Sequence, residues 1–131
     1  MIVDTSAIVA ILRDEPDAEL FAEAIERESV RRVSAVTYVE AAAVIESNRN
    51  PISSRKFDDF FREAGLKIEA VTLEQARIAR EAYRDFGKGG RHPARLNFGD
   101  CFAYALAKVL NEPILFKGTD FQHTDAASAL E

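Results

Sequence analysis

Met1-Ile2-Val3-Asp4-Thr5-Ser6-Ala7 is the stretch whose reading decides the fold. Its apolar part is too short for a helix and is closed by an acid. Thr5 or Ser6 can then start a helix that runs through Leu12. The reading is a short buried strand that feeds directly into a helix. The pattern recurs along the chain. Val33-Ser34-Ala35 reads as a second strand, followed by a helix from Val36 to about Ser47. Lys67-Ile68-Glu69-Ala70-Val71 reads as a third, followed by Thr72 and Gln75 at capping-box spacing. Pro113-Ile114-Leu115-Phe116 reads as a fourth. Alternating strands and helices predict an α/β fold, a parallel sheet covered by helices.

The intervening segments read as helices with apolar stripes. Pro16 fits the first turn of one, and Ala18, Phe21, Ala22 and Ile25 follow its i, i+3, i+4, i+7 face. Asn48, Asn50 and Pro51 stop the helix after the second strand. Ser53 or Ser54 caps the next, whose face is Phe57, Phe60, Phe61 and Ala64, and Gly65 ends it. Ala76, Ala79, Tyr83 and Phe86 form a further stripe. Gly87 to Leu96 is a basic, glycine-rich loop. A last helix runs from about Gly99 to Leu110, with Phe102, Ala105, Leu106 and Val109 inward. A small edge strand is expected near Thr124.

The chain of 131 residues suits one domain, residues 1–131, with a real core. No apolar run is long enough for a membrane helix, and Asp4 interrupts any signal-peptide pattern. The lone Cys101 cannot form an internal disulfide, which agrees with a reducing cytoplasm. Cys101 reads as a small core residue. The net charge of −5 opposes broad attraction to nucleic acid but is compatible with a nuclease whose site is itself acidic.

Four acids carry the functional reading. Asp4, Glu40, Asp100 and Asp120 are far apart in sequence, yet each falls at a strand end or in the helix nearby. A parallel sheet gathers such places on one edge, where ligands bind. Clustered carboxylates repel one another unless a cation neutralises them. With two histidines and one cysteine in the chain, a hard oxygen-liganded ion such as Mg²⁺ or Mn²⁺ fits best. Each acid also has a purely structural explanation. Asp4 can cap a helix, Glu40 can close a capping box with Thr37, Asp100 can sit in a first turn, and Asp120 can organise a turn. Their shared edge favours the joint explanation.

Across nearly its whole length the sequence resembles the PIN-domain ribonucleases, in particular VapC-type toxins. The resemblance rests on four segments: Ile2-Val3-Asp4-Thr5-Ser6-Ala7, the helical Glu40, Phe98-Gly99-Asp100-Cys101-Phe102-Ala103-Tyr104-Ala105-Leu106-Ala107, and Leu115-Phe116-Lys117-Gly118-Thr119-Asp120-Phe121. It implies a three-layer α/β/α sandwich with a mainly parallel sheet. It also implies Mg²⁺- or Mn²⁺-dependent cleavage of RNA and inhibition by a small VapB-like antitoxin, with a homodimer or a higher toxin–antitoxin assembly. Asp4, Glu40, Asp100 and Asp120 match the family's acidic site, as catalytic residues and metal ligands. Thr5 or Ser6 matches a hydroxyl that orders the site. Thr119 stands where related sequences often carry Asn, and Asp125 is a candidate fifth, peripheral acid.

Arg84, Lys88, Arg91, His92 and Arg95 cluster just before Asp100. Lys88, Arg91 and Arg95 are the expected RNA phosphate contacts. Their structural alternative is a solvated helix end and turn. His123 beside Asp120 reads as a surface or capping residue. Two other functions compete. A metal-dependent phosphatase or receiver domain also places acids at strand ends, but the expected paired acids near the first strand are missing, although Lys117 is available. A noncatalytic RNA- or protein-binding module would not need the complete acid set.

Overall fold

The computed structural model describes residues 1–130, so Glu131 lies outside it. Four short strands, β1 (Ile2–Val3), β2 (Arg32–Ser34), β3 (Lys67–Glu69) and β4 (Ile114–Leu115), form one sheet in the order β3-β2-β1-β4. All three pairings are parallel, with Ile2 opposite Arg32 and Ile114, and Val3 opposite Leu115. The first strand is therefore interior to the sheet, and the acid that follows it is held at the sheet's carboxyl edge.

Six helices cover the sheet: α1 (Thr5–Leu12), α2 (Ala18–Arg27), α3 (Ala35–Ile45), α4 (Pro51–Glu63), α5 (Leu73–Phe86) and α6 (Phe98–Leu110). Successive strand residues point to opposite faces, and the core divides accordingly. Val3 and Leu115 pack with α1 to α4 through Ile8, Phe21, Ile25, Phe57 and Phe61. Ile2 and Ile114 pack on the other face with Ala79, Leu96, Ala103, Leu106 and Phe121. This is the expected three-layer α/β/α arrangement.

Several local expectations need correction. Asn50, not Ser53 or Ser54, caps α4, accepting from Ile52 N–H at 3.0 Å with Pro51 in the first turn. Proline has no N–H to lose at that position, so it starts this helix as readily as it stops the one before. The α2 face is Ala18, Phe21, Ala24 and Ile25, and Ala22 is exposed. On α5 the buried residues are Gln75, Ala79 and Ala82, whereas Ala76 and Tyr83 are exposed. Thr72 caps α5, but the Gln75 side chain bonds Ala70 O and does not return to Thr72. The tail meets the sheet by an isolated bridge from Ser128 to Ile114, not at Thr124.

Candidate active site

Asp4 is the N-cap of α1. Its Oδ2 accepts the Ser6 backbone N–H at 3.0 Å and the Ser6 hydroxyl at 2.6 Å. Ser6 Oγ in turn accepts the Lys117 backbone N–H at 2.9 Å, which ties the end of β1 to the loop after β4. The other oxygen, Asp4 Oδ1, is buried and has no hydrogen-bond partner. Capping thus accounts for one oxygen of Asp4 and leaves the second without a structural role.

Asp100 has the same division of labour. Its Oδ2 accepts the Asn97 backbone N–H at 3.0 Å, while Asn97 Oδ1 accepts the Asp100 N–H at 2.8 Å. This reciprocal cap fixes the start of α6. Glu40 is not part of a cap. Ser34 caps α3, so the pairing of Glu40 with Thr37 does not form, and Glu40 instead accepts the Thr5 hydroxyl at 2.5 Å. Asp120 opens the 3₁₀ turn after β4 and is exposed.

These elements bring Asp4, Glu40, Asp100 and Asp120 to one open cavity of about 460 Å³, lined also by Thr5, Ser6, Asn97 and Lys117. Burial raises the Asp4 carboxyl above its usual range, against the lowering effect of its Ser6 bonds, and the charge of Glu40 adds to the rise. Burial pushes the Asp100 carboxyl up to about 7, and the charges of Asp4, Glu40 and Asp120 contribute in the same direction. Among the described residues no three His, Cys, Asp or Glu side chains close into a ready cation cage. Each charge here raises the cost of the next.

The donor set nevertheless suits a hard divalent cation. The acids of the cavity offer only oxygen, no thiol or imidazole lines it, and a buried carboxylate oxygen faces no donor. Cys101 is a buried core thiol, pushed up to about 11 by burial, and its Sγ donates to Asn97 O.

Other expected residues do not enter the cavity. Asp125 binds the Tyr104 hydroxyl and Lys108 Nζ, both at 2.6 Å, and anchors the tail to α6. It does not line the cavity of the four acids. Thr119 is exposed and makes no capping bond. Lys88, Arg91 and Arg95 are exposed on the loop between α5 and α6 and do not line the cavity. Arg84 pairs with its neighbour Asp85, and His123 is exposed. The cation that does line the cavity is Lys117, whose Nζ is held by Glu15 at 2.7 Å and Asp17 at 3.0 Å. In the sequence Lys117 enters only as the lysine available to a receiver-type site. Its place directly after the fourth strand was the available signal.

The comparisons with known proteins agree with this fold. The PIN domain model matches residues 1–127. The chain belongs to the PIN-domain family. It is 55% identical over 131 residues to ribonuclease VapC28 of Mycobacterium tuberculosis, covering 100% of this chain and 98% of that protein. It is 51% identical over 129 residues to ribonuclease VapC42 of the same species, covering 98% of each. Its fold is similar to that of VapC20 of Mycobacterium tuberculosis, described as a sarcin-ricin loop cleaving toxin. That match has a TM-score of 0.77 and 15% identity, and covers 96% of this chain and 95% of the other. PIN-family membership sets aside the phosphatase and receiver alternatives.

Proposed function

We propose that this protein is a divalent-cation-dependent endoribonuclease and the toxin of a type II toxin–antitoxin pair. The observation that carries the reading is the convergence of four carboxylates on one cavity with Asp4 Oδ1 buried and unpartnered. Full-length relatives named as VapC ribonucleases support the reaction class and the toxin role.

Asp4 and Asp100 are the inner ligands, because each has one oxygen fixed by the fold. Glu40 and Asp120 complete the acidic site. Mg²⁺ or Mn²⁺ is the preferred ion for an all-oxygen donor set. When bound, the ion activates water and offsets the charge that develops on the phosphate. The protein supplies the positioning. Ser6 holds Asp4 from behind, Thr5 holds Glu40, and the Asn97 N–H holds Asp100. Asp120 stands at the exposed rim of the same cavity, where RNA would enter. Lys117 Nζ, at the same cavity, meets the substrate phosphate, and Arg91, Arg95 and Lys88 track the RNA further out.

The partner is a small VapB-like antitoxin that presents an Arg or Lys to the carboxylates, since a guanidinium forms paired bonds with carboxylate oxygens. Leu20, Val39 and Ile52 on α2, α3 and α4 are exposed apolar side chains that support docking of the rest of that antitoxin. The chain acts in the cytoplasm as one PIN domain and assembles as a homodimer or a larger toxin–antitoxin complex. No helix among the described residues is long and apolar enough to cross a membrane.

The test is cleavage of total RNA by the purified protein with Mg²⁺ and with chelator, products being mapped at their ends. Discrete cleavage that needs the ion is expected. Intact RNA at every Mg²⁺ and Mn²⁺ concentration would overturn the assignment.

A further inference from the structure

Gly99 is a buried residue in the first turn of α6, immediately before Asp100. Its φ is not positive, so the backbone does not require glycine there. The space does. A β-carbon at Gly99 would lie 2.2 Å from Glu40 Oε2 and 2.5 Å from both Oε1 and Cδ. No such approach is sterically possible, so the Glu40 carboxylate occupies the room a side chain would fill. The Thr5 hydroxyl donates to Glu40 Oε1 as well, so the carboxylate is held by a hydroxyl and seated against a bare helix turn. That turn is also the positive end of the α6 dipole, which favours the charge.

The fold alone gives no reason for this glycine. Glycine is a poor helix former, and alanine in the same backbone is better. The clashing atoms belong to the far end of a flexible side chain. Alanine at 99 therefore leaves the backbone in place and moves Glu40 instead.

We propose that Gly99 is a positioning residue of the cleavage site: by lacking a side chain it seats the Glu40 carboxylate in the acidic cavity beside Asp100. This deepens the ribonuclease reading and rests on it. Glu40 is the only one of the four acids carried in mid-helix, with no cap or turn to fix it. Its seat must therefore come from neighbouring elements, and Thr5 and Gly99 supply it.

The experiment is a double-mutant cycle on the full chain with wild type, Gly99→Ala, Glu40→Ala and the pair, read by Mn²⁺ titration, thermal melting and single-turnover RNA cleavage. Gly99→Ala is expected to melt at or above the wild-type temperature, while Mn²⁺ affinity and cleavage each fall about tenfold or more. In the Glu40→Ala background the same change is expected to alter Mn²⁺ affinity less than twofold. Combining Gly99→Ala with Glu40→Asp, which shortens the side chain by one methylene, is expected to recover part of the missing affinity. Wild-type affinity in Gly99→Ala would overturn the proposal while leaving the ribonuclease reading intact. So would an equal loss in the Glu40→Ala background, because Gly99 would then act through something else. A wild-type protein that binds no Mn²⁺ and cuts no RNA would sink both.

Discussion

Ser6 grips Asp4 twice, its N–H and its hydroxyl both donating to the same carboxylate oxygen, Oδ2. The consequence is directional. Oδ2 is spent on the fold, and the buried Oδ1 has no hydrogen-bond partner. Ser6→Ala keeps the backbone bond but loses the hydroxyl and its link to Lys117. We expect a stability loss of about 1 kcal/mol and a larger, roughly tenfold, loss of Mn²⁺ affinity, by analogy with other groups that orient a ligand. Chemical denaturation and Mn²⁺ titration on the same preparation check both numbers.

Protonation of the acidic site sets a pH dependence for the cation-free protein. Asp4 and Asp100 both have folded-state carboxyls raised above their unfolded values, Asp100 to about 7. The native state then holds more protons than the unfolded chain between about pH 4 and 7. Stability of the chelated protein should fall as pH rises through that window. Saturating Mg²⁺ should reverse the trend at its upper end, because ion binding favours the charged form. Melting curves from about pH 4.5 to about pH 7.5, with chelator and with Mg²⁺, measure it. A chelated protein that grows steadily more stable up to about pH 7 would contradict the assignment of these two acids.

Asp125 tests the corrected boundary of the site. Lys108 and then Tyr104 hold its carboxyl below the usual range, so its contribution to stability is present above the unfolded value near pH 4 and is lost as pH falls through the lower folded one. The pair with Lys108 is half exposed, and solvent screening limits the effect to about 1 kcal/mol or less. Asp125→Asn should lower the melting temperature slightly and leave Mn²⁺ affinity and cleavage unchanged. A large loss of Mn²⁺ affinity would return Asp125 to the site.

Much of this fold could be read from short sequence cues. Ile2-Val3 before Asp4 marked the interior strand, and Thr5 marked the helix start. What failed was helix phase and cap choice. Ala22 and Ala24 both fit an alanine-rich face, and only packing against α1 and the core selects Ala24. Asn50 and Ser53 are both good caps, and the placement of Pro51 decides between them. Asp125 and Asp120 are equally acidic on paper, but only the turn after β4 carries Asp120 to the carboxyl edge. Gly99 is a poor helix former in the first turn of a helix, directly before an acid. Its meaning needs the position of Glu40, which no local pattern contains.

The basic side chains should act chiefly through the RNA. Lys117→Gln removes the charge that lines the cavity, whereas Arg91→Gln with Arg95→Gln removes exposed charges on the α5–α6 loop. Both should weaken RNA binding and flatten its salt dependence, the slope falling by roughly 0.7–0.9 for every phosphate no longer neutralised. Mn²⁺ affinity should be preserved in the loop variant. RNA affinity over a salt series decides the matter. An unchanged slope for the loop variant would assign that loop to solvent.

The most direct measurement is single-turnover cleavage of a defined RNA by Asp100→Asn at saturating Mn²⁺, with circular dichroism to confirm the fold. The substitution keeps the shape of the α6 cap and removes one carboxylate charge from the cavity. The expected result is a folded protein whose cleavage rate falls by at least about a hundredfold, roughly 2.7 kcal/mol of transition-state stabilisation. A folded Asp100→Asn protein that cuts at the wild-type rate would contradict the central claim that this cavity is the metal-dependent ribonuclease site.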